Sequence, residues 1–320
     1  MANLLGLLIL FAGARLVIAG EISLGALIAC SILAQRAVQP IGALAAGWHG
    51  IQEVAAAFRR IDALMALPAE HGGGALVAPT GGTLLLEQVG FAFVPDHPAV
   101  LREVTLAATP GQILGVIGPS GSGKSTLIKV MQGLYRPTSG RVLIDDTDIA
   151  HLAPEAVRQQ IGVVPQEVQL FSGTVRENIA LAVPSKDPER VVAVAKFVGA
   201  HEFIQRLPQG YETVLGERGG GLSAGQRQLI AVARALMRNP RIILLDEATS
   251  ALDPVTEETL LRSLKRASRG RTIVLVTHRL APLSVCDRVA LMVDGAITRL
   301  GAPAEVAAFA RSELGEAAQR

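Results

Sequence analysis

Apolar residues follow three different rhythms along this chain, and each rhythm predicts a different kind of element. Residues 2–20 are almost uniformly apolar, with Arg15 as the single charge. That is about the 20 residues a helix needs to cross the hydrocarbon of a bilayer, and a cation near one end can extend toward the headgroups. Gly20 and Glu21 break the run. Residues 22–41 form a second mostly apolar stretch, carrying Leu24, Leu27, Ile28, Ile32 and Leu33 and interrupted late by Gln35, Arg36 and Gln39. Two such spans joined by a short turn predict a helical hairpin. A cleaved secretory leader is the alternative for the first span, but no Lys or Arg precedes its apolar run.

Beyond Pro40 the rhythm becomes helical. Leu44, Trp48, Ile51, Ala55, Phe58, Ile61 and Met65 recur at steps of three or four, with Gln52, Arg59 and Asp62 between them. This predicts an amphipathic helix extending the second span into water, ended at Pro68. Residues 68–82, rich in glycine and proline, read as a linker. The third rhythm begins at Thr83. Short aliphatic runs at residues 113–117, 142–144, 162–164, 242–245 and 272–276 alternate with helical stretches, which predicts buried strands, mostly of a parallel sheet covered by helices. Strand-like pieces at residues 83–89 and 101–107 predict a small additional antiparallel sheet. The division is therefore residues 1–67, a linker at 68–82, and an α/β domain at 83–320.

Composition narrows the function classes. The chain has 320 residues, half of them apolar, with 18% charged and 3% aromatic, and a mean hydropathy of +0.39. About two domains with a full core fit this length, and disorder does not. Thirty basic side chains against 28 acidic leave a formal charge of +2, so no strong field points toward nucleic acid and few aromatic rings are available to stack bases; no nucleic-acid partner is expected. Cys30 and Cys286 lie far apart without a metal-binding pattern, so neither a disulfide framework nor a zinc site is expected.

The candidate chemistry begins after the run at residues 113–117. Gly118-Pro119-Ser120-Gly121-Ser122-Gly123-Lys124-Ser125-Thr126 fits the phosphate-loop pattern, with a strand before it and a helix after it. Its glycines let backbone N–H groups converge on phosphate oxygens, and the helix start faces the same anion. Lys124 then bridges the outer phosphates, and Ser125 offers its hydroxyl to Mg²⁺. Downstream, an apolar strand ends in Asp246 and Glu247, the first suited to a metal's surroundings and the second to polarising an attacking water. A glycine run then enters a helix at Ser223, a plausible N-cap, with Ala224, Gly225 and Gln226 following.

These residues resemble the ATP-binding cassette (ABC) ATPases. Residues 118–126 look like Walker A, 242–247 like Walker B with its glutamate, and 222–226 like the family signature. Gln166 resembles the Q-loop, residues 250–253 the D-loop ending in Asp253, and His278 the switch histidine, all in the family's order. The resemblance implies a P-loop NTPase fold: a RecA-like parallel core with a small antiparallel β subdomain and a helical subdomain, here preceded by two transmembrane helices. It also implies two chains facing head to tail, with ATP held by one phosphate loop and capped by Ser223 and Gly225 of the other. Glu247 would then act on the water, His278 on the γ-phosphate, and Gln166 would sense Mg²⁺. Two departures stand out. Phe93 occupies the place of an adenine-stacking tyrosine, keeping the ring and losing the hydroxyl, and Ala224 replaces a signature glycine.

Residues 215–219 resemble the X-loop of ABC exporters, and residues 23–30 and 35–40 are similar to type I protein-secretion ATPases. By this resemblance residues 1–67 are a partial transmembrane domain: such exporters carry more membrane helices per half than this chain has room for. Either the sequence is a fragment, or a separate chain supplies the missing helices. The resemblance implies a homodimer or a heterodimer with another ABC half-transporter, multi-pass in the cell's inner membrane. Its ATPase domain is cytoplasmic and Glu21 lies outside, in keeping with Arg36, Arg59 and Arg60 on the inner side. Two alternatives are a transport-incompetent remnant and a soluble, non-transport ABC ATPase, the latter requiring basic patches or a long coiled coil.

Overall fold

The computed structural model describes residues 2–67, 81–94, 97–184, 187–216 and 219–317. It divides into two compact units, residues 1–69 and 70–320, each described by itself. The predicted linker lies largely outside the described residues, as do Glu217 and Arg218 of the X-loop-like segment.

The first unit is a hairpin of helix α1 (Ala2–Ile18) and helix α2 (Leu24–Met65). The turn follows from local chemistry. Gly20 takes a left-handed φ of +76°, and the N–H groups of Gly20 and Glu21 donate back to the carbonyls of Val17 and Leu16 at 3.1 and 3.0 Å. These bonds form a Schellman closure satisfying carbonyls the helix leaves open. Ser23 then caps α2 by accepting from the Ala26 N–H at 3.2 Å. The two helices approach where α1 has no side chain: a Cβ on Gly13 would lie 2.1 Å from Leu27 Cδ1. Leu27 is buried there, whereas Leu7, Phe11, Ile28, Ile32, Trp48 and Phe58 are each at least half exposed.

Both N-terminal segments are helical, as their apolar rhythm predicts. Among the described residues no helix is long and apolar enough to cross a membrane. At 17 residues, α1 rises roughly 26 Å, short of the about 30 Å of hydrocarbon. In α2 the apolar run is interrupted by Gln35, Arg36 and Gln39. Pro40 lies inside α2, which continues past it to Met65.

The second unit begins with β1 (Leu84–Phe91), β2 (Leu101–Ala108) and β3 (Ile113–Ile117), then α3 (Lys124–Met131), β4 (Ser139–Ile144) and β5 (Thr147–Asp148). Helix α4 (Pro154–Gln160), β6 (Ile161–Val164) and β7 (Gly173–Thr174) lead into α5 (Val175–Ala180), α6 (Pro188–Val198) and α7 (His201–Gln205). The chain then runs through β8 (Val214–Leu215), α8 (Ala224–Met237), β9 (Ile242–Asp246), α9 (Pro254–Ala267), β10 (Thr272–Val276), β11 (Arg288–Val293), β12 (Ala296–Gly301) and α10 (Pro303–Ala317).

Six of these strands make one sheet in the order β12-β11-β3-β10-β9-β6, parallel except for the β11–β12 pair. Side chains alternate across it, as the strand period requires. Ile113, Ile117, Ile243, Leu245, Ile273 and Leu275 enter the core shared with α8, α9 and the α5–α7 segment. Leu114, Val116, Ile242, Leu244, Val274 and Val276 enter the other core, shared with α3 and a four-stranded sheet β2-β1-β4-β5. Strands buried on both faces explain the uninterrupted aliphatic runs. Residues 142–144, expected mostly with the parallel strands, instead belong to β4, which pairs antiparallel with β1. A short apolar run carries no record of its partner.

Asp145 fixes the entry into this unit. Its carboxylate accepts the N–H groups of Gly81, Gly82 and Thr83 at 2.6, 2.9 and 2.7 Å, and Thr272 Oγ1 donates to the Gly82 carbonyl at 2.6 Å. Replacing Asp145 with Ala is expected to cost about 2 kcal/mol of stability, the scale of hydrogen bonds to a charged group. Denaturant unfolding measures it, and an unchanged midpoint would contradict the anchoring role.

Candidate nucleotide-binding site

The loop between β3 and α3 is shaped by what its glycines permit. A Cβ on Gly118 would lie 2.0 Å from the Met292 carbonyl oxygen, a backbone atom that cannot swing aside. Gly123 sits at φ +99° as the N-cap of α3 and offers no capping side chain. The first N–H groups of α3 therefore receive no side-chain cap at their N-cap position, facing where an anion is favoured. Lys124, the first residue of α3, is buried. Its Nζ donates to the Gly118 and Pro119 carbonyls at 2.9 and 2.7 Å and to Ser122 Oγ at 3.4 Å. Burial lowers the Lys124 pKa, while Glu247 and Asp246 pull it upward.

The neighbouring parallel strands deliver the remaining groups. Asp246 ends β9, opposite Val276 of β10. Burial raises its pKa, opposed by a hydrogen bond from Ser125. Its Oδ1 is buried without a hydrogen-bond partner among the described residues. Glu247 leaves the strand at φ +50°, a left-handed conformation for a residue with a side chain. Its N–H donates to the Val276 carbonyl at 2.9 Å and its own carbonyl accepts from the Ser250 N–H at 3.0 Å. Its carboxylate is held twice: Gln166 Nε2 donates to Oε2 at 3.1 Å, and His278 Nδ1 to Oε1 at 2.9 Å.

These groups enclose a cavity of about 490 Å³, lined by the loop, Ser125 and Thr126, by Gln166, Glu247 and His278, and by Val100. Sequence reasoning did not single out Val100. Nor did it find Arg279, whose guanidinium is bidentate to the buried Glu257 at 2.9 and 2.9 Å and fixes the residue next to His278.

Other expected site residues lie outside this cavity. Ser223 and Gln226 form a reciprocal capping box, Ser223 Oγ accepting from the Gln226 N–H at 3.2 Å and Gln226 Oε1 from the Ser223 N–H at 2.9 Å. A Cβ on Gly225 would meet the Ala251 carbonyl oxygen at 2.8 Å. Asp253 caps α9, accepting from Val255 and Thr256, and the Thr256 bonds hold its pKa low. Phe93 is 60% exposed, its ring edge-on to Phe91 and Tyr135 at 5.1 and 5.6 Å.

A family profile described as ABC transporter matches residues 101–250, the stretch from β2 through Asp246 and Glu247 to Ser250. Over these residues the chain is similar to the ABC transporter family. It is 43% identical over 298 residues to the exotoxin translocation ATP-binding protein PaxB of Pasteurella aerogenes, covering 93% of this chain and 42% of that protein. The toxin RTX-I translocation ATP-binding protein of Actinobacillus pleuropneumoniae is 42% identical over 300 residues, with the same shares. Among solved structures, a bacterial Atm1-family ABC exporter with ATP bound matches with a TM-score of 0.74 and 31% identity, over 95% of this chain and 54% of that one. The chain thus spans less than half the length of these curated relatives.

The phosphate-loop cradle leaves no room at its first glycine. Gly118→Ala is expected to abolish binding of a fluorescent ATP analogue, because Met292 and the loop cannot both keep their places. Titration reads this directly, and wild-type affinity in the variant would contradict the packing argument.

Proposed function

We propose that this chain is the ATP-hydrolysing part of an exporter and that two copies, or this chain and a similar half, enclose each nucleotide between them. One observation carries the reading. The cavity built around Lys124 and Glu247 receives no residue of the Ser223–Gln226 segment of its own chain, although that segment ends in a capped helix start with Ser223 exposed. A second copy placed head to tail supplies that segment to the open side.

In this reading Lys124 exchanges its own loop carbonyls for the β- and γ-phosphates of ATP, and the N–H groups around Gly121 and Gly123 hold the same oxygens. Phe93 offers a ring face to the adenine. Glu247 accepts a proton from water as its oxygen attacks the γ-phosphorus, and the bond to the bridging oxygen of ADP breaks. Gln166 and His278, which hold both carboxylate oxygens, set when that carboxylate turns toward water. Ser125, Gln166 and Asp246 suit Mg²⁺: the ion takes hard oxygen ligands and keeps most of its shell for phosphate and water, and Asp246 Oδ1 is a buried oxygen lacking a partner among the described residues. When bound, Mg²⁺ neutralises charge developing on the phosphates.

The names of the relatives, exotoxin and toxin RTX-I translocation ATP-binding proteins, support protein or peptide export. The exposed apolar flank of α1 and α2 supports placement at the inner membrane, in a multi-pass assembly completed by further helices, with the ABC domain on the cytoplasmic side.

Glu247→Gln is expected to lower phosphate release by a factor on the order of 10²–10⁴, the contribution of a general base, while ATP still binds. Turnover that survives the change would remove Glu247 from this role. Stripping Mg²⁺ with EDTA is expected to stop turnover, and adding it back to restore it; hydrolysis indifferent to the ion would contradict the role given to Ser125 and Asp246.

A further inference from the structure

Helix α8 buries one face, and that face carries an unexpected amide. Gln228 lies among Leu229, Ile230, Val232 and Ala235 and is 2% exposed. A buried amide is costly unless its donors and acceptor are used. Nε2 of Gln228 donates to the Glu247 carbonyl at 2.9 Å, and its Oε1 accepts the Ala251 N–H at 3.2 Å. One side chain therefore ties α8 to the backbone of Glu247 and to the segment leading into Asp253.

The first of these bonds matters because of how Glu247 is held. At φ +50° its backbone is in the left-handed region that disfavours side-chain-bearing residues, so neighbouring bonds must maintain it. Its N–H is committed to Val276 and its carbonyl to Ser250. Among the described residues Gln228 is the one side chain that donates to that carbonyl, and it comes from the helix capped by Ser223. The same helix start touches the same segment again, since Gly225 leaves no space for a Cβ against the Ala251 carbonyl. A cavity of about 620 Å³ borders this junction, lined by Gln166, Arg227, Gln228 and Ser250 among others. It gives the start of α8 room to shift against the segment after Glu247.

We propose that Gln228 is a positioning residue: it braces the backbone of Glu247 and links it to the start of α8, so that contact made by Ser223 with a nucleotide is transmitted to the carboxylate that acts on water. The inference deepens the hydrolytic reading and rests on it. It assigns no contact between Gln228 and ATP; the amide acts through Glu247 alone.

The test uses the full chain and measures kcat and KM for Mg-ATP in Gln228→Met and Gln228→Glu, each alone and combined with Glu247→Gln. Gln228→Met keeps the length and loses both bonds. Gln228→Glu keeps the shape and an acceptor for Ala251, and its carboxylate cannot donate to the Glu247 carbonyl, so it decides the matter if the Met variant melts early. Each single variant is expected to lose about tenfold or more in kcat with KM changed less than about threefold. Combined with Glu247→Gln, each is expected to alter the residual rate less than about twofold, as two residues of one unit should. Wild-type kcat in Gln228→Glu, a raised KM at constant kcat, or the same fold loss in both backgrounds would each overturn the proposal. The Glu247→Gln arm stands apart: turnover surviving it removes the hydrolytic reading, whereas Glu247 dependence with indifferent Gln228 variants removes this inference only.

Discussion

A single carboxylate held between two donors organises the functional end of this molecule. Glu247 receives Gln166 on one oxygen and His278 on the other, and those residues follow three different strands of one sheet. Parallel strands end on the same edge, so β6, β9 and β10 bring Gln166, Glu247 and His278 together beside the loop that leaves β3. The burial of both sheet faces makes that edge rigid, and Glu247 leaves its strand in a left-handed conformation.

The polar groups beneath are kept in a costly state. Lys124 is buried and spends its ammonium on loop carbonyls. Asp246 is buried, with one oxygen unpartnered among the described residues and a pKa raised by burial. Such groups weaken a fold unless something offsets them, and here the offset is the pair of cores that covers the two faces of the sheet. The opposed charges stay close with no direct ion pair between them among the described residues, which suits the phosphate and metal ion of the proposed function. Sites that break local rules in this way are expected where function resides.

Much of this was legible in the sequence, and the rest failed for physical reasons. The aliphatic runs ending at Ile117, Leu245 and Val276 announced buried strands because both faces of their sheet are covered. The phosphate loop announced itself because glycine and lysine at that spacing have few other uses. Residues 142–144 went to the wrong sheet, since a three-residue run does not encode its partner. Strands β11 and β12 were missed: β12 is broken by Thr298 and Arg299, and the tight Asp294-Gly295 turn joins it to an apolar β11. Gln228, Arg279 and Val100 went unread because their importance lies in contacts far away in sequence. A polar residue on the apolar stripe of α8 was the available signal for Gln228. The helices of the hairpin were readable, but their apolar length overstated their reach across a bilayer.

The proposed pairing of two chains draws these parts together. A cavity without its Ser223 segment, and a Ser223 segment exposed on the same domain, are complementary halves of one arrangement. Sedimentation of the Glu247→Gln chain in detergent tests it most directly, since blocked cleavage should preserve whatever complex ATP assembles. The account predicts one-chain particles without nucleotide and two-chain particles with Mg-ATP; particles of one chain at saturating Mg-ATP would contradict it.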